Sequence, residues 1–274
     1  MAPLVGGEGP SQASQIARAI GDESVRTHAF GSLVRAAAFV SGMAFAWAPA
    51  QTIAYRLGPS KPLSRFTADE IALLAKLNHA DSAHLARLPL ILVPDRWDAD
   101  ELLYSPMPQA APQLSQEKKA IVVDLAAQVF GAYESGWLVR WGPVSSGDRR
   151  HRTPPGTYHL NWHARVHVST ENPTWVMPWC FNFASGLGLA LHQYSLPGKP
   201  ASHGCIRMLA VDAQWLYQWG DGWTVTPGTN EVTRPGTLVL LVGRYDFASP
   251  QPWLQPEWWA RGVSLPAQQT AARK

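Results

Sequence analysis

The stretch PASHGCIRM, residues 200–208, places Ser202, His203, Gly204, Cys205 and Arg207 next to one another. A cysteine attacks as its thiolate and therefore works beside a base or a positive charge. Two histidines are candidate bases: His203, two residues before Cys205, and His192, thirteen residues before it. The intervening QYSLPGKPASHG holds two prolines and two glycines, enough for the chain to loop back and bring His192 against the thiol. Gly204 leaves room for a substrate backbone beside the sulfur. The N–H groups of Gly204 and Cys205 are candidates for an oxyanion hole. Arg207 offers a fixed positive charge and a planar fork suited to a carboxylate. The chemistry indicated is nucleophilic acyl transfer, and spacing alone does not choose between the two histidines.

Competing readings of the same residues are weaker. A lone buried cysteine is usually inert, and histidine near cysteine can mark a metal site. His159, His163 and His167 alternate as one face of a strand would, without further ligands nearby and with no CxxC pair, so no metal is expected. The second cysteine, Cys180, lies in MPWCFNF between aromatic residues, where packing is its expected role. Charged residues make up 16% of the 274 and the net charge is +3 without a long run of either sign, which argues against nucleic acid as a partner. The 13 tryptophans read mainly as core.

The elements that must carry these residues follow from pattern. Arg26, His28 and Arg35 precede the apolar run AAAFVSGMAFAWA and the small-residue site APA, so residues 1–50 read as an extension and a secretory signal peptide. Residues 51–112 read as a small segment with a linker. Thr67 and Glu70 form a capping box that opens a helix over Ala68–Leu77, a shorter helix follows over 82–87, and an apolar run over 88–93 ends at Pro94. YSPMPQAAPQLSQEK is rich in Pro, Gln and Ser and reads as linker. From residue 119 to about 244, short runs rich in β-branched and aromatic residues alternate with Gly and Ser turns, the texture of a mainly β domain. Within it Asp212 is a candidate cap for a helix over AQWLYQWG, and residues 245–274 read as a tail.

SHGCIRM resembles the signature of the L,D-transpeptidase (YkuD) catalytic domain at every position. IVVDLAAQVFGAYESGWLVRWGPVSSG, RTPPGTYHL, WVMPWCFNF and GLALH are similar to that family's successive segments, in order. LLAKLNHAD…LPLILVP resembles the second half of a LysM repeat, a small peptidoglycan-binding module, without its first half. The resemblance implies a YkuD-like β-sandwich with one helix after the cysteine motif, preceded by a small helical, LysM-like segment. It implies Cys205 as nucleophile and His192 as proton donor and acceptor, with Ser202, His203, Gly204, Arg207 and Gln193 lining or supporting the site. Gln193 replaces the family's usual glycine, and its side chain is expected to narrow the acceptor path. The loop from His192 to Cys205 is short for the family. The activity implied is transfer from a peptidoglycan stem tetrapeptide to an amine acceptor through a thioester, without cofactor or metal, in the periplasm or cell envelope. Alternatives of the same fold are a peptidoglycan L,D-carboxypeptidase or an amidase or endopeptidase. A binding-only protein, with glycan contact through 51–112, is the alternative of another class.

Overall fold

In the computed structural model, residues 53–229 and 231–265 are described. The expected signal peptide lies outside these residues. The first strand, β1 (Tyr55–Pro59), pairs antiparallel with β2 (Leu90–Pro94), Tyr55 opposite Pro94 and Pro59 opposite Leu90. Between them lie helices α1 (Ala68–Leu77) and α2 (Ser82–Leu85). The capping box at α1 is complete: Glu70 N–H donates to Thr67 Oγ1 (3.2 Å) and Thr67 N–H to Glu70 Oε2 (2.7 Å). Leu74, Leu85, Ile91 and Val93 form a small core of this strand–helix–helix–strand unit. The sequence reading missed β1, because YRLGP is short and carries Gly and Pro.

The remaining strands are β3 (Lys119–Asp124), β4 (Val129–Glu134), β5 (Trp137–Ser145), β6 (Gly156–His159), β7 (His163–Val168), β8 (Val176–Ala184), β9 (Leu189–Gln193) and β10 (Ile206–Met208). Helix α3 (Ala210–Trp219), the two-stranded ribbon β11 (Thr224–Val225) and β12 (Val232–Arg234), strand β13 (Leu238–Val242) and helix α4 (Pro256–Arg261) follow. Nine strands make one mixed sheet in the order β6-β13-β3-β4-β5-β10-β9-β8-β7. Its two wings fold toward each other around a core of Ile121, Phe130, Phe181, Leu191, Ile206 and Val239, closed by Leu216 of α3. That closure is the mainly β architecture expected.

A second core covers the other face of the β3 wing, and it explains an odd sequence feature. KAIVVD in β3 is apolar at successive positions instead of alternating, because both faces are buried. Ile121 and Val123 point into the inter-wing core, whereas Ala120 and Val122 meet Leu73 and Leu77 of α1, Met107, Leu114, Trp253 and Trp259. The stretch read as linker is thus pinned by Met107, Ala111 and Leu114, each buried, and Ala111 N–H donates to the Gly136 carbonyl (2.7 Å). The stretch read as a tail delivers Trp253 and Trp259 into the same core. Hence this core crosses the boundaries that composition suggested at 112 and 245.

One expectation for α3 is corrected. The residue at the N-cap is Leu209, without a side-chain cap bond, and Asp212 lies inside the first turn, fully buried. Its carboxylate takes the Arg140 guanidinium at 2.7 Å and Lys76 Nζ at 3.6 Å. The acid near the helix start is a buried ion-pair centre rather than a cap.

Candidate active site

Strands β9 and β10 run side by side in parallel, with Ile206 opposite Leu191, Arg207 opposite His192 and Met208 opposite Gln193. Leu191, Ile206 and Met208 point into the inter-wing core, so the intervening residues face outward together. His192, Arg207 and Cys205, the residue before β10, thereby come to one face, and all three line a cavity of about 260 Å³. Its other walls include Trp162, Glu171, Trp175, Tyr194 and His203.

The cysteine turn is held by its own hydroxyl. Ser202, buried, donates from Oγ to the Cys205 carbonyl and accepts there from Gly204 N–H (3.0 Å). Thr153 Oγ1 donates to the Gly204 carbonyl (2.7 Å), and Asp148 N–H donates to the Ser202 carbonyl (2.9 Å). Gly204 sits at φ +112, and a Cβ there would lie 2.9 Å from Leu189 Cδ2, so glycine is required both by conformation and by space. The bond to Ser202 corrects one expectation: Gly204 N–H is engaged within the turn. Cys205 N–H is the remaining candidate of the pair for an oxyanion.

The two histidines differ sharply. His192 is buried, and its Nδ1 lies 2.9 Å from the Gln193 carbonyl. A carbonyl only accepts, so Nδ1 carries the proton and Nε2 is the basic nitrogen. Burial foremost, with the Arg207 charge adding to it, pushes His192 down to about 4, and its bond to Gln193 only partly opposes this. His203 is exposed and held between two rings, His151 at 4.1 Å and Trp175 at 4.5 Å between centroids. The first is set by Asp148, whose carboxylate lies 3.0 Å from His151 Nδ1. Gln193 supplies its carbonyl, and its side chain is not among the residues that line this cavity.

Cys205 Sγ lies 3.7 Å from the Gly188 carbonyl oxygen. Burial raises its thiol above the ordinary value and Glu171 adds to this, while the Ala190 N–H and Arg207 pull the other way. The Arg207 guanidinium lies 4.6 Å from the centre of the Tyr194 ring. Cys180 is fully buried with Met177 and Ala190, and Trp162 and Cys205 pack against that cluster. Burial pushes its thiol up to about 12, and neither cysteine is in a disulfide. His159 stands at the opposite edge of the sheet from His163 and His167. Sequence reasoning missed Tyr194, Trp175 and Glu171, aromatic or acidic residues without a motif, although Tyr194 stands two residues after His192.

A mainly β sheet that brings a cysteine, a histidine and an arginine to one cavity defines the class. Residues 118–240, less than half of the 274, match the sequence model of the L,D-transpeptidase catalytic domain (YkuD). No curated protein matches the chain. Among solved structures, the chain is similar to an L,D-transpeptidase from Stackebrandtia nassauensis at 24% identity, covering 47% of this chain and 58% of that one, with a TM-score of 0.38. An L,D-transpeptidase from Mycobacterium smegmatis shares 20% identity over 46% of this chain and 59% of that one, with a TM-score of 0.37. The L,D-transpeptidase from Xylanimonas cellulosilytica shares 28% identity over 64% of this chain and 81% of that one, with a TM-score of 0.44. The chain thus spans under two thirds of the first two of these proteins. Among the described residues, no helix is long and apolar enough to cross a membrane.

Proposed function

We propose that this protein is a cysteine L,D-transpeptidase that acts on peptidoglycan stem peptides in the cell envelope. The observation that carries the reading is the register of β9 against β10, which sets Cys205 and His192 on one face of one cavity beside Arg207. In the first half-reaction His192 Nε2 takes the thiol proton as sulfur attacks the carbonyl of the third stem residue, the L-centre of meso-diaminopimelate. Negative charge develops on the carbonyl oxygen, toward Cys205 N–H. Collapse breaks the amide bond, and the departing D-Ala amine takes the proton from His192. A thioester remains on Cys205.

An amine acceptor then attacks the thioester, loses its proton to His192 and departs as the new amide, while the thiol is restored with that proton. Arg207 holds a substrate carboxylate. Ser202 and Gly204 shape the turn, and His203 supports the wall. With a stem peptide as acceptor the product is a 3→3 cross-link, and with water it is a tripeptide.

Cysteine and base start neutral. A thiol above its ordinary value and an imidazole near 4 do not exchange a proton at rest, so proton transfer belongs to the attack itself. Incubating the purified protein with disaccharide-tetrapeptide and following intact mass and products tests the proposal. An adduct on Cys205 and a cross-linked dimer are expected. A cysteine that never acquires the acyl group would refute it.

A further inference from the structure

The connection from His192 to Cys205 is not held by the catalytic domain alone. Its far half, residues 199–202, is fixed by the end of β5. Ser145 Oγ donates to the Lys199 carbonyl (2.8 Å), and Ala201 and Ser202 N–H both donate to the Ser146 carbonyl (3.0 Å each). Its near half is held from outside, by the residues that join α1 to α2.

Leu196 N–H donates to Asp81 Oδ2 (2.9 Å), and Asp81 N–H donates back to the Leu196 carbonyl (3.0 Å). Ala80 and Pro197 form an antiparallel bridge, and Gly198 N–H donates to the His79 carbonyl (3.1 Å). Leu196 is fully buried. The carboxylate that does this is itself fixed: Asp81 Oδ1 accepts from His84 N–H (3.0 Å) as the cap of α2, and the His84 ring Nδ1 lies 2.8 Å from the same oxygen. Oδ1 thus serves the helix alone, whereas Oδ2 serves the loop and also lies 3.0 Å from the His84 ring Nδ1.

Two residues before Leu196 stands Tyr194, a wall of the cavity. Its ring lies under the Arg207 guanidinium at 4.6 Å and edge-on to His192 at 5.9 Å. Tyr194 therefore stands between the loop at Leu196 and the side chains of Arg207 and His192.

We propose that Asp81 is a positioning residue for the reaction: by holding Leu196 it fixes the connection between His192 and Cys205, and with it the Tyr194 ring that backs Arg207 and His192. The upstream helical unit is in this way part of the scaffold of the active site. This rests on the reading of Cys205 and His192 as the reacting pair.

The test uses the full chain and Asp81→Ser. Serine is itself a good helix cap and keeps the bond to His84 N–H, but its side chain is too short to serve Leu196 as well. Expected are an unfolding midpoint close to that of the parent and amide exchange at Leu196 and Gly198 faster by tenfold or more, with exchange in β3 and β4 unchanged. Acylation of Cys205 by the carbapenem imipenem should be slower by roughly tenfold, a smaller loss than the roughly hundredfold that a full ångström of misplacement at reacting groups can produce. Asp81→Ser that exchanges and acylates as the parent does would overturn the proposal. If that variant does not fold, Asp81→Asn, of the same shape and with one acceptor oxygen in place of two, is read by the same two measurements and judged the same way. A parent protein that takes no acyl group at Cys205 would defeat the proposed function instead, and the exchange measurement would still decide whether Asp81 holds the loop.

Discussion

At the scale of single residues, the distinction between the two histidines is the one that spacing left open. His192 is buried with its tautomer set by the Gln193 carbonyl, whereas His203 is exposed, stacked on His151 and tilted against Trp175. Loss of His192 is expected to slow acylation of Cys205 by several orders of magnitude, as removal of a general base does, and His203→Ala by tenfold or less. Mass-detected acylation of the two variants, each checked for folding, separates them, and the reverse ranking would move the base to His203. The resting charge state is also testable. With the Cys205 thiol raised, chiefly by burial, its thiolate fraction grows tenfold per pH unit through neutrality. Alkylation by iodoacetamide in a Cys180→Ser background should therefore climb steadily from pH 6 to pH 8. A plateau there would indicate a thiolate–imidazolium pair. Cys180→Ser itself is expected to keep activity, because burial pushes that thiol to about 12 and leaves it inert. The proposed nucleophile was legible in SHGCIRM because a reactive turn needs particular neighbours in sequence. The partners Tyr194, Glu171 and Trp175 were not, since they arrive from the connection after β9 and from between β7 and β8, and only folding joins them.

At the scale of elements, what the sequence carried best was local. The capping box of α1 rests on groups three residues apart, and the β texture of 119–244 on short-range pattern. What it hid was long-range, and Asp212 shows why. An acid near the start of a helix reads as a cap when its true partners, Arg140 on β5 and Lys76 on α1, are distant in sequence. These charges are buried: the Asp212 side chain is 0% exposed and that of Lys76 3%. Removing one partner strands the others away from water, a loss that outweighs the attraction itself. Asp212→Ala is expected to cost on the order of 3 kcal/mol in urea unfolding at neutral pH. Lys76 retains Glu101 and Arg140 is partly exposed, which keeps the loss near the lower end for buried pairs. A change under about 0.5 kcal/mol, the range of ordinary surface substitutions, would show that the cluster bears no such strain.

At the scale of the whole molecule, two histidines in different parts of the chain are buried and neutral, which couples stability to acidity. His192 belongs to the sheet and lies at about 4. His79 follows α1, stacks on Trp253 at 4.1 Å with planes 6° apart, and has neither ring nitrogen hydrogen-bonded. Burial alone takes it to about 3. In the unfolded chain both titrate near 6.5, so between that value and the folded values the unfolded state binds more protons. Their contribution is therefore complete above about pH 6.5 and is lost as pH falls toward 4 and then 3. Linkage puts the loss between pH 7 and pH 5 at about 2 kcal/mol for each histidine. His79→Phe keeps an aromatic ring against Trp253 and removes one of the two titrating groups. Urea unfolding at the two pH values should thus show the variant losing about 2 kcal/mol less than the parent on acidification, whatever its stability at pH 7. Equal losses in the two proteins would mean that His79 finds a partner for its proton in the fold. The expected difference has a structural reason: Trp253 comes from the end of the chain and His79 from its helical unit, so a proton on His79 must break the core that joins them.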